Sequence, residues 1–117
     1  MNKNMDCVFC KIANKEIKSN VVFESEKLLA FLDVNPQAPV HILIVPKKHI
    51  AGLNEIETAD RELLCDIQLA ARDIAKKQNI SKTGYRLVAN SGPDAGQAVG
   101  HLHYHLLGGR KFGWPPG

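Results

Sequence analysis

Three histidines occupy alternate positions near the end of the chain: His101, His103 and His105. Successive side chains of a β-strand point to opposite faces, so a strand here would place all three imidazoles on one face, with neighbours about 6.5–7 Å apart. Histidine is the side chain whose unperturbed pKa allows it to gain or lose a proton near neutral pH. The triplet is therefore a candidate for metal binding, phosphate chemistry or proton transfer.

The triplet alone is compatible with three kinds of site. A purely structural run of packed or solvent-facing histidines would leave many ring nitrogens in need of hydrogen-bond partners. The second interpretation is a zinc centre with an open coordination position, in which His41 or His49 is a further ligand. The third is nucleophilic chemistry on phosphorus, in which one imidazole attacks and its neighbours position both it and the substrate. The spacing by itself does not choose between metal and phosphate.

The segment that precedes the triplet favours phosphate chemistry. Residues 90–100 include three glycines, so the backbone there can approach a ligand closely. Exposed amides in such a loop, together with the Gln97 side chain, could hold phosphate oxygens, whereas an ordinary turn between strands is the alternative. Asp33, which follows a predicted strand, is a candidate acceptor for the hydroxyls of a ribose, or else a turn residue.

The cysteines indicate a second possible site. Cys7 and Cys10 are separated by two residues, which is the spacing of half a zinc site, and His49 and one histidine of the triplet are available to complete it. An odd total of three cysteines does not suggest a disulfide framework. Cys65 lies within a predicted helix and is interpreted as a packing residue.

Size and composition predict a globular protein with one domain, residues 1–117. The apolar fraction of 44% and the charged fraction of 23% are ordinary, and the net charge of +3 is spread out rather than massed, so nucleic-acid binding is not favoured. No apolar run approaches the roughly 20 residues that span a bilayer. The first residues do not have the apolar stretch of a signal peptide, so the predicted location is the cytoplasm.

Hydrophobic patterning predicts an α+β fold with a mostly antiparallel sheet of five strands, one short helix and one long helix. In the long helix, capped by Thr58 and ending near residue 78, Cys65 and Leu69 lie off the apolar stripe. They are either scattered surface residues or a contact with a second subunit. The short helix is predicted within residues 8–17, and the strands at residues 21–24, 28–32, 40–45, 85–90 and 101–107.

Residues 101–107 match the pattern His-φ-His-φ-His-φ-φ, where φ is apolar, and in this they resemble the histidine-triad (HIT) superfamily. Further segments are similar to its Hint branch, the purine nucleoside phosphoramidases: residues 29–33, 36–41, 44–50, 84–90 and the tail 108–117. The tail ends in Trp-Pro-Pro-Gly and is a feature of Hint rather than Fhit proteins. The resemblance covers nearly the whole chain in order.

The resemblance implies a HIT-like fold and a homodimer whose two sheets join into one, with the long helix at the interface. Such an interface would account for Cys65 and Leu69. It also implies hydrolysis of purine nucleoside 5′-phosphoramidates, of the adenosine 5′-monophosphoramidate type, to a nucleoside monophosphate and an amine. The alternatives are a dinucleoside polyphosphate hydrolase of Fhit type and a nucleotide-binding interaction protein whose hydrolysis is incidental.

The same resemblance assigns separate roles to the histidines. His103 would attack the α-phosphorus to form a nucleotidyl-histidine, which water then cleaves. Its other ring nitrogen should donate to a backbone carbonyl, which fixes the tautomer. His105 and His41 would hold the phosphate and protonate the departing amine, since an amide anion is a very poor leaving group. His101 would support the site from its edge.

The resemblance further implies a nucleotide site. Asp33 matches the carboxylate that binds the ribose hydroxyls, and Trp114 lies where the family's tail reaches toward the site of the partner subunit. The other matching positions form an apolar base slot and a phosphate site: Val8, Phe9, Ile12, Phe31 and Val34 for the base, and Asn90, Gln97 and Val99 for the phosphate.

Two departures from the Hint pattern bear on function. Ala98 stands where many Hint proteins have a serine that would contact the phosphate or leaving group, so the preferred leaving group is open. Several Hint proteins lack the N-terminal cysteine pair, whereas other members of the superfamily use it with two histidines to bind zinc. The matching residues here are Cys7, Cys10, His49 and His101. The implied zinc is structural, and no catalytic cofactor is expected.

Overall fold

Short β-branched and apolar segments form one five-stranded antiparallel sheet in the order β1-β2-β3-β5-β4. The computed structural model describes residues 6–117. The predicted α+β class is confirmed, with one short and one long helix. The elements are α1 (Val8–Ala13), β1 (Val21–Glu24), β2 (Leu28–Leu32), β3 (Val40–Pro46), α2 (Arg61–Lys77), β4 (Tyr85–Val88) and β5 (Tyr104–Gly108), with 3-10 turns at Leu53–Glu55, Thr58–Asp60 and Pro93–Ala95.

The central strand β3 is apolar on both faces because each face is covered. Ile42 and Ile44 lie in the cluster packed against α2, whereas Leu43 and Val45 lie in a second cluster on the opposite face. His41 shares the face of Leu43, because side chains two positions apart on a strand point the same way. The pattern of β3 thus places one buried histidine on the face away from α2.

The long helix α2 buries one stripe against the sheet and leaves the opposite side in solvent. The predicted off-stripe residues Cys65 and Leu69 are indeed exposed. The predicted cap at Thr58 is wrong, because residues 58–60 form a 3-10 turn and α2 begins at Arg61. A capping box between Glu57 and Asp60 satisfies the backbone at this turn, which sequence periodicity does not resolve. The buried residues of α2 are Leu63, Ile67, Ala70, Ala71, Ile74 and Ala75.

The short helix α1 covers part of the other face of the sheet. It has six residues, too few for a stable isolated helix, so packing must hold it. Phe9 and Ile12 pack with Phe31 and Leu43 in the second cluster. The β4–β5 half of the same face is not covered by α1, which leaves space beside the histidines.

The predicted strand over residues 101–107 is wrong at its start. Strand β5 begins at Tyr104, so His105 is the one histidine of the triplet within it. The Leu102 N–H donates to the Ile50 carbonyl at 2.6 Å instead of to a neighbouring strand, so a tertiary contact ends the ladder early. The alternation of side chains between the two faces nevertheless extends back to residue 102, because Leu102, Tyr104 and Leu106 all lie in or against the α2 cluster.

Other boundaries differ by a few residues from those predicted. Strand β4 ends at Val88 rather than at residue 90, whereas α1 (Val8–Ala13) lies within the predicted range of residues 8–17. Among residues 6–117, no helix combines the length and apolarity needed to cross a bilayer. The predicted single domain over residues 1–117 and the predicted absence of a signal segment include residues 1–5, which lie outside the described residues, and both stay predictions.

Candidate active site and metal centre

Two cavities open on the sheet face away from α2, and His105 lines both of them. The first, here called the α1-side cavity, has a volume of about 650 Å³ and is also lined by His103. Seven of the nine predicted nucleotide contacts line it, so the structure brings them together at one site. They are Val8, Phe9, Ile12, Phe31, Asp33, Val34 and Val99.

The second cavity, here called the tail-side cavity, has a volume of about 730 Å³ and lies on the other side of His105. His41 lines it, together with the predicted phosphate contact Asn90. Asn90 is therefore separated from the apolar walls of the α1-side cavity. Residues of the C-terminal tail, including Phe112 and Gly113, form part of its wall.

The structure places Gln97 differently from the other predicted contacts. Its Oε1 accepts from the Gly92 N–H at 3.0 Å, and its Nε2 donates to the carbonyls of Ala51 and Val99 at 2.9 and 3.0 Å. The carboxamide thus braces the glycine-containing loop and lines neither cavity.

The tautomer of His103 follows from one backbone contact. Its Nδ1 lies 2.7 Å from the carbonyl oxygen of His101, and because a carbonyl only accepts, Nδ1 carries the proton. The neutral ring then has its lone pair on Nε2. The ring is buried between Phe9 and His105, whose centroids each lie 5.1 Å from its own. The spacing between the His103 and His105 rings is shorter than the repeat of about 6.5–7 Å along a strand, and the two ring planes are inclined by 64°.

A chain of hydrogen bonds gives His105 the opposite tautomer. The backbone N–H of Gln37 donates to His41 Nδ1 at 3.0 Å, so the neutral His41 ring carries its proton on Nε2. That Nε2 lies 2.9 Å from His105 Nδ1 and donates to it. The proton of His105 is therefore on Nε2, and the His105 ring centroid lies 5.1 Å from that of His103. The Asp33 carboxylate lies 3.4 Å from His41 Nε2 and can stabilise positive charge on this chain.

Burial keeps the His41 and His105 rings neutral near pH 7. It lowers the pKa of His41, against which the nearby Asp33 carboxylate acts. Burial likewise lowers the pKa of His105, and the neighbouring His103 and His41 rings lower it further. Neutral rings preserve the tautomers that the backbone imposes.

The four predicted zinc ligands come together beside Phe9 and are here called the Cys/His cluster. The four ligand atoms of Cys7, Cys10, His49 and His101 all lie within 4.8 Å of one another. Sγ of Cys7 and Nδ1 of His101 are 3.2 Å apart, and the two histidine Nδ1 atoms are 3.1 Å apart. Tetrahedral zinc with ordinary bond lengths would place such atoms about 3.3–3.8 Å apart, so the donor set fits zinc.

His101 is oriented as a metal ligand. Its Nε2 donates to the Pro46 carbonyl at 2.8 Å, so its Nδ1 lone pair faces the cysteines. Burial lowers the pKa of His101 to about 4, and the ring is fully buried and neutral. Its side chain lines neither cavity, whereas its backbone carbonyl holds His103.

Asp33, His41 and His105 also lie close enough to surround a cation. However, His41 Nδ1 already accepts from the Gln37 amide, so Nε2 must carry the ring proton in the neutral state. A metal at Nε2 would have to displace that proton. The group is better suited to proton transfer than to metal binding.

Comparison with known proteins identifies the family. The HIT domain family model matches residues 14–112. The chain belongs to the HIT family. The predicted family is thereby confirmed, and it accounts for the arrangement of the sheet and the histidines.

Individual HIT relatives match over nearly the whole chain. A 14 kDa zinc-binding protein from Zea mays is 50% identical over 94% of this chain and 87% of that protein. Adenylylsulfatase HINT1 from Arabidopsis thaliana is 46% identical over 94% of this chain and 76% of its own length. The crystal structure of a HIT family hydrolase from Legionella pneumophila Philadelphia 1 is 53% identical, with a TM-score of 0.94 over 96% of this chain and all of that chain. The relatives of this HIT protein thus include hydrolases.

Sequence reasoning missed an aromatic–arginine cluster in the tail-side cavity. The Phe112 ring centroid lies 5.3 Å from the guanidinium carbon of Arg86 and 4.3 Å from that of Arg110. Within residues 6–117, neither arginine forms an ion pair with a carboxylate. Alternation along β4 places Arg86 on the face of His105, but nothing in the sequence shows how the tail folds back.

Proposed function

We propose that this HIT protein hydrolyses purine nucleoside 5′-phosphoramidates to a nucleoside monophosphate and an amine. The observation that carries the proposal is the pair of opposite tautomers: His103 presents a lone pair on Nε2, and His105 presents a proton on Nε2. A nucleophile and a proton donor side by side are what cleavage of a P–N bond requires. The hydrolase relatives support the reaction class.

In the first step, Nε2 of His103 attacks the α-phosphorus and the P–N bond breaks. His105 gives its Nε2 proton to the departing amine, and the hydrogen bond from His41 Nε2–H to His105 Nδ1 stabilises the electron pair left on the His105 ring. The ring of His103 becomes cationic in the nucleotidyl-histidine, with its Nδ1–H still held by the His101 carbonyl.

In the second step, water attacks the same phosphorus. His105, now unprotonated on Nε2, accepts a proton from that water, and the bond between phosphorus and His103 breaks. Both histidines return to their starting tautomers. One water is consumed, and one nucleoside monophosphate and one amine are released.

The α1-side cavity supplies the nucleoside site in this proposal. Apolar walls from α1 and β2, including Phe9 and Phe31, contact the base. Asp33 Oδ1 accepts from the Asn35 N–H at 2.8 Å, and the carboxylate keeps acceptor capacity for the ribose hydroxyls. The phosphate lies between His103 and His105, and the leaving group extends into the tail-side cavity, past Asn90.

A second candidate reaction is hydrolysis of adenylyl sulfate, with sulfate as the leaving group. Two observations favour it. The relative from Arabidopsis thaliana is named an adenylylsulfatase. The tail-side cavity contains Arg86 and Arg110, which donate to backbone carbonyls and have no carboxylate partner within the described residues. Sulfate leaves without a proton, so this reaction depends less on His105.

A structural zinc ion belongs to the same proposal. Cys7, Cys10, His49 and His101 would hold it in a closed tetrahedral site, where it stabilises the packing of α1 and supplies no reacting group. The zinc-binding relative from Zea mays supports this assignment. Metal analysis of protein purified without a metal-affinity tag should give about one zinc per chain, and Cys7→Ser should lose it.

We also propose a homodimer located in the cytosol. The outer edge of β4 has no neighbouring strand among the described residues, and an unpaired edge can bind a second copy. Three cysteines without disulfides suit a reducing compartment. No nucleic-acid or membrane partner is proposed.

The test of the reaction compares His103→Ala with Tyr104→Phe, a neighbour that faces the opposite side of the sheet. Release of adenosine monophosphate from adenosine 5′-monophosphoramidate and from adenylyl sulfate is measured for both variants. We expect His103→Ala to lose at least about a thousandfold in kcat and Tyr104→Phe to stay near wild type. Wild-type protein that binds adenosine monophosphate but cleaves neither compound would instead support the binding-protein interpretation.

A further inference from the structure

Two groups that are not metal ligands connect the Cys/His cluster to His103. The first is the His101 carbonyl, which accepts from His103 Nδ1 at 2.7 Å while the His101 ring faces the cysteines. The second is the Phe9 ring, which lies between Cys7 and Cys10 in sequence. Its centroid is 5.1 Å from that of His103 and 5.9 Å from that of His101.

Both groups belong to segments that regular structure holds weakly. Phe9 lies on α1, a six-residue helix whose N-cap is Cys7. His101 precedes β5, so its carbonyl lies outside the sheet ladder, and the peptide that it shares with Leu102 is held by one backbone hydrogen bond, to the Ile50 carbonyl. A metal bound to the four ligands would link the start of α1, His49 and the segment before β5 at one point.

We propose that Phe9 and the His101 carbonyl position the His103 ring, and that metal binding at the Cys/His cluster holds both groups in place. The inference rests on the proposed function, in which His103 is the nucleophile. Loss of the metal would leave the His101 peptide held by the Leu102–Ile50 hydrogen bond without the ring anchor, so that the carbonyl shifts relative to His103 and the two tautomers of His103 mix. It would also loosen α1, which carries three walls of the α1-side cavity: Val8, Phe9 and Ile12.

The sheet and α2 should survive metal loss. Their core cluster contains none of the four ligands and extends from Leu28 to Leu106. A metal with a purely stabilising role would change the melting temperature but leave the folded site as it was. The two roles are therefore separable by measurements on the site itself.

The first experiment strips zinc from the wild-type protein with a chelator and reloads it with Zn²⁺ or Cd²⁺. Adenosine monophosphate binding is measured by calorimetry, the protonation of His103 Nδ1 by ¹⁵N NMR, and folding by hydrogen exchange in α2. Cys65→Ser, which removes an exposed cysteine outside the cluster, is the matched control. The binding and NMR measurements do not require turnover. The positioning role of the metal can therefore fail while the proposed hydrolysis stands, and the hydrolysis can fail while the positioning role stands.

We expect metal removal to weaken binding about tenfold and to abolish the single Nδ1-protonated state of His103, with α2 still protected. Reloading should restore both. The proposal is overturned if metal-free protein keeps its Kd and its His103 tautomer, or if the purified protein takes up no metal.

A second variant covers the case in which metal-free protein unfolds. Phe9→Leu in the metal-loaded protein keeps an apolar wall but removes the ring beside His103. Phe23→Leu is the control, because it makes the same change at a residue packed against the α2 cluster. A wall residue alone would change KM, whereas a positioning residue lowers kcat. We expect about a tenfold fall in kcat and a changed His103 ring signal, with zinc content retained. An unchanged kcat and ring signal would contradict the proposal.

Discussion

At the scale of single residues, the proposed chemistry depends on which ring nitrogen carries each proton. The family resemblance predicted a role for each histidine and a carbonyl partner for His103, and the structure contains that carbonyl contact. Residue types and spacing could not predict that the Gln37 amide sets the tautomer of His41, and through it that of His105. Every residue except proline has a backbone N–H, so the sequence gives no sign of which one will meet a ring nitrogen.

Replacing His105 separates proton donation from phosphate binding. We expect His105→Ala to lower kcat by about 10²–10⁴-fold for a phosphoramidate of a basic amine, because that leaving group needs a proton. The loss should be much smaller for adenylyl sulfate, whose leaving group needs none. The ratio of the two kcat losses is the measurement, and equal losses would argue against His105 as the general acid.

The histidine pair should titrate below the ordinary range. Burial lowers the pKa of both His41 and His105, so each ring should stay neutral as the pH falls past 6.5 and gain its proton only at lower pH. The unfolded chain takes up these protons at higher pH, so the free energy of unfolding should decrease as the pH drops below 6.5. An NMR titration of the ring protons checks the direction, and midpoints at or above 6.5 would contradict it.

At the scale of elements, local patterns predicted structure best where local interactions decide it. Strands β1 and β2 have the predicted bounds because a short polar turn joins two apolar runs. Strand β5 begins later than predicted because the Leu102 amide is satisfied by the Ile50 carbonyl, far away in sequence. Gln97 shows the same limit, since its partners in the fold could not be read from the loop.

The bracing role of Gln97 has a test distinct from a phosphate contact. Gln97→Ala removes hydrogen bonds to Gly92, Ala51 and Val99, each contributing about 1 kcal/mol. We expect exchange of the Gly92 amide to accelerate about fivefold or more without any nucleotide present. An unchanged exchange rate combined with weaker nucleotide binding would instead assign Gln97 to the phosphate.

At the scale of the whole molecule, the sheet has one face packed against a helix and one face that contains the candidate site. α2 covers one face, and the two cavities share the other, where His105 lines both. Hydrophobic patterning predicted the α+β class. The size and position of the cavities could not be predicted, because they depend on where α1 and the tail lie over the sheet.

A second copy should bind at the side that contains β4 and the outer face of α2. Leu69 is 42% exposed there, so Leu69→Glu should destabilise the dimer. Gln68→Glu introduces the same charge about 100° away around the helix and is the control. Light scattering at micromolar concentration should give about twice the chain mass of 12.9 kDa for wild type and control, and a lower mass for Leu69→Glu. A monomeric wild type would contradict the dimer.

The central claim is that His103 becomes covalently nucleotidylated on Nε2. Excess protein is mixed rapidly with adenosine 5′-monophosphoramidate and quenched, and the peptides are mapped by mass spectrometry. We predict an adenylyl group attached to His103 in the peptide that contains it. The adduct should form before adenosine monophosphate appears and should be absent in His103→Ala. Release of adenosine monophosphate without any adduct, or an adduct on His105, would contradict the account.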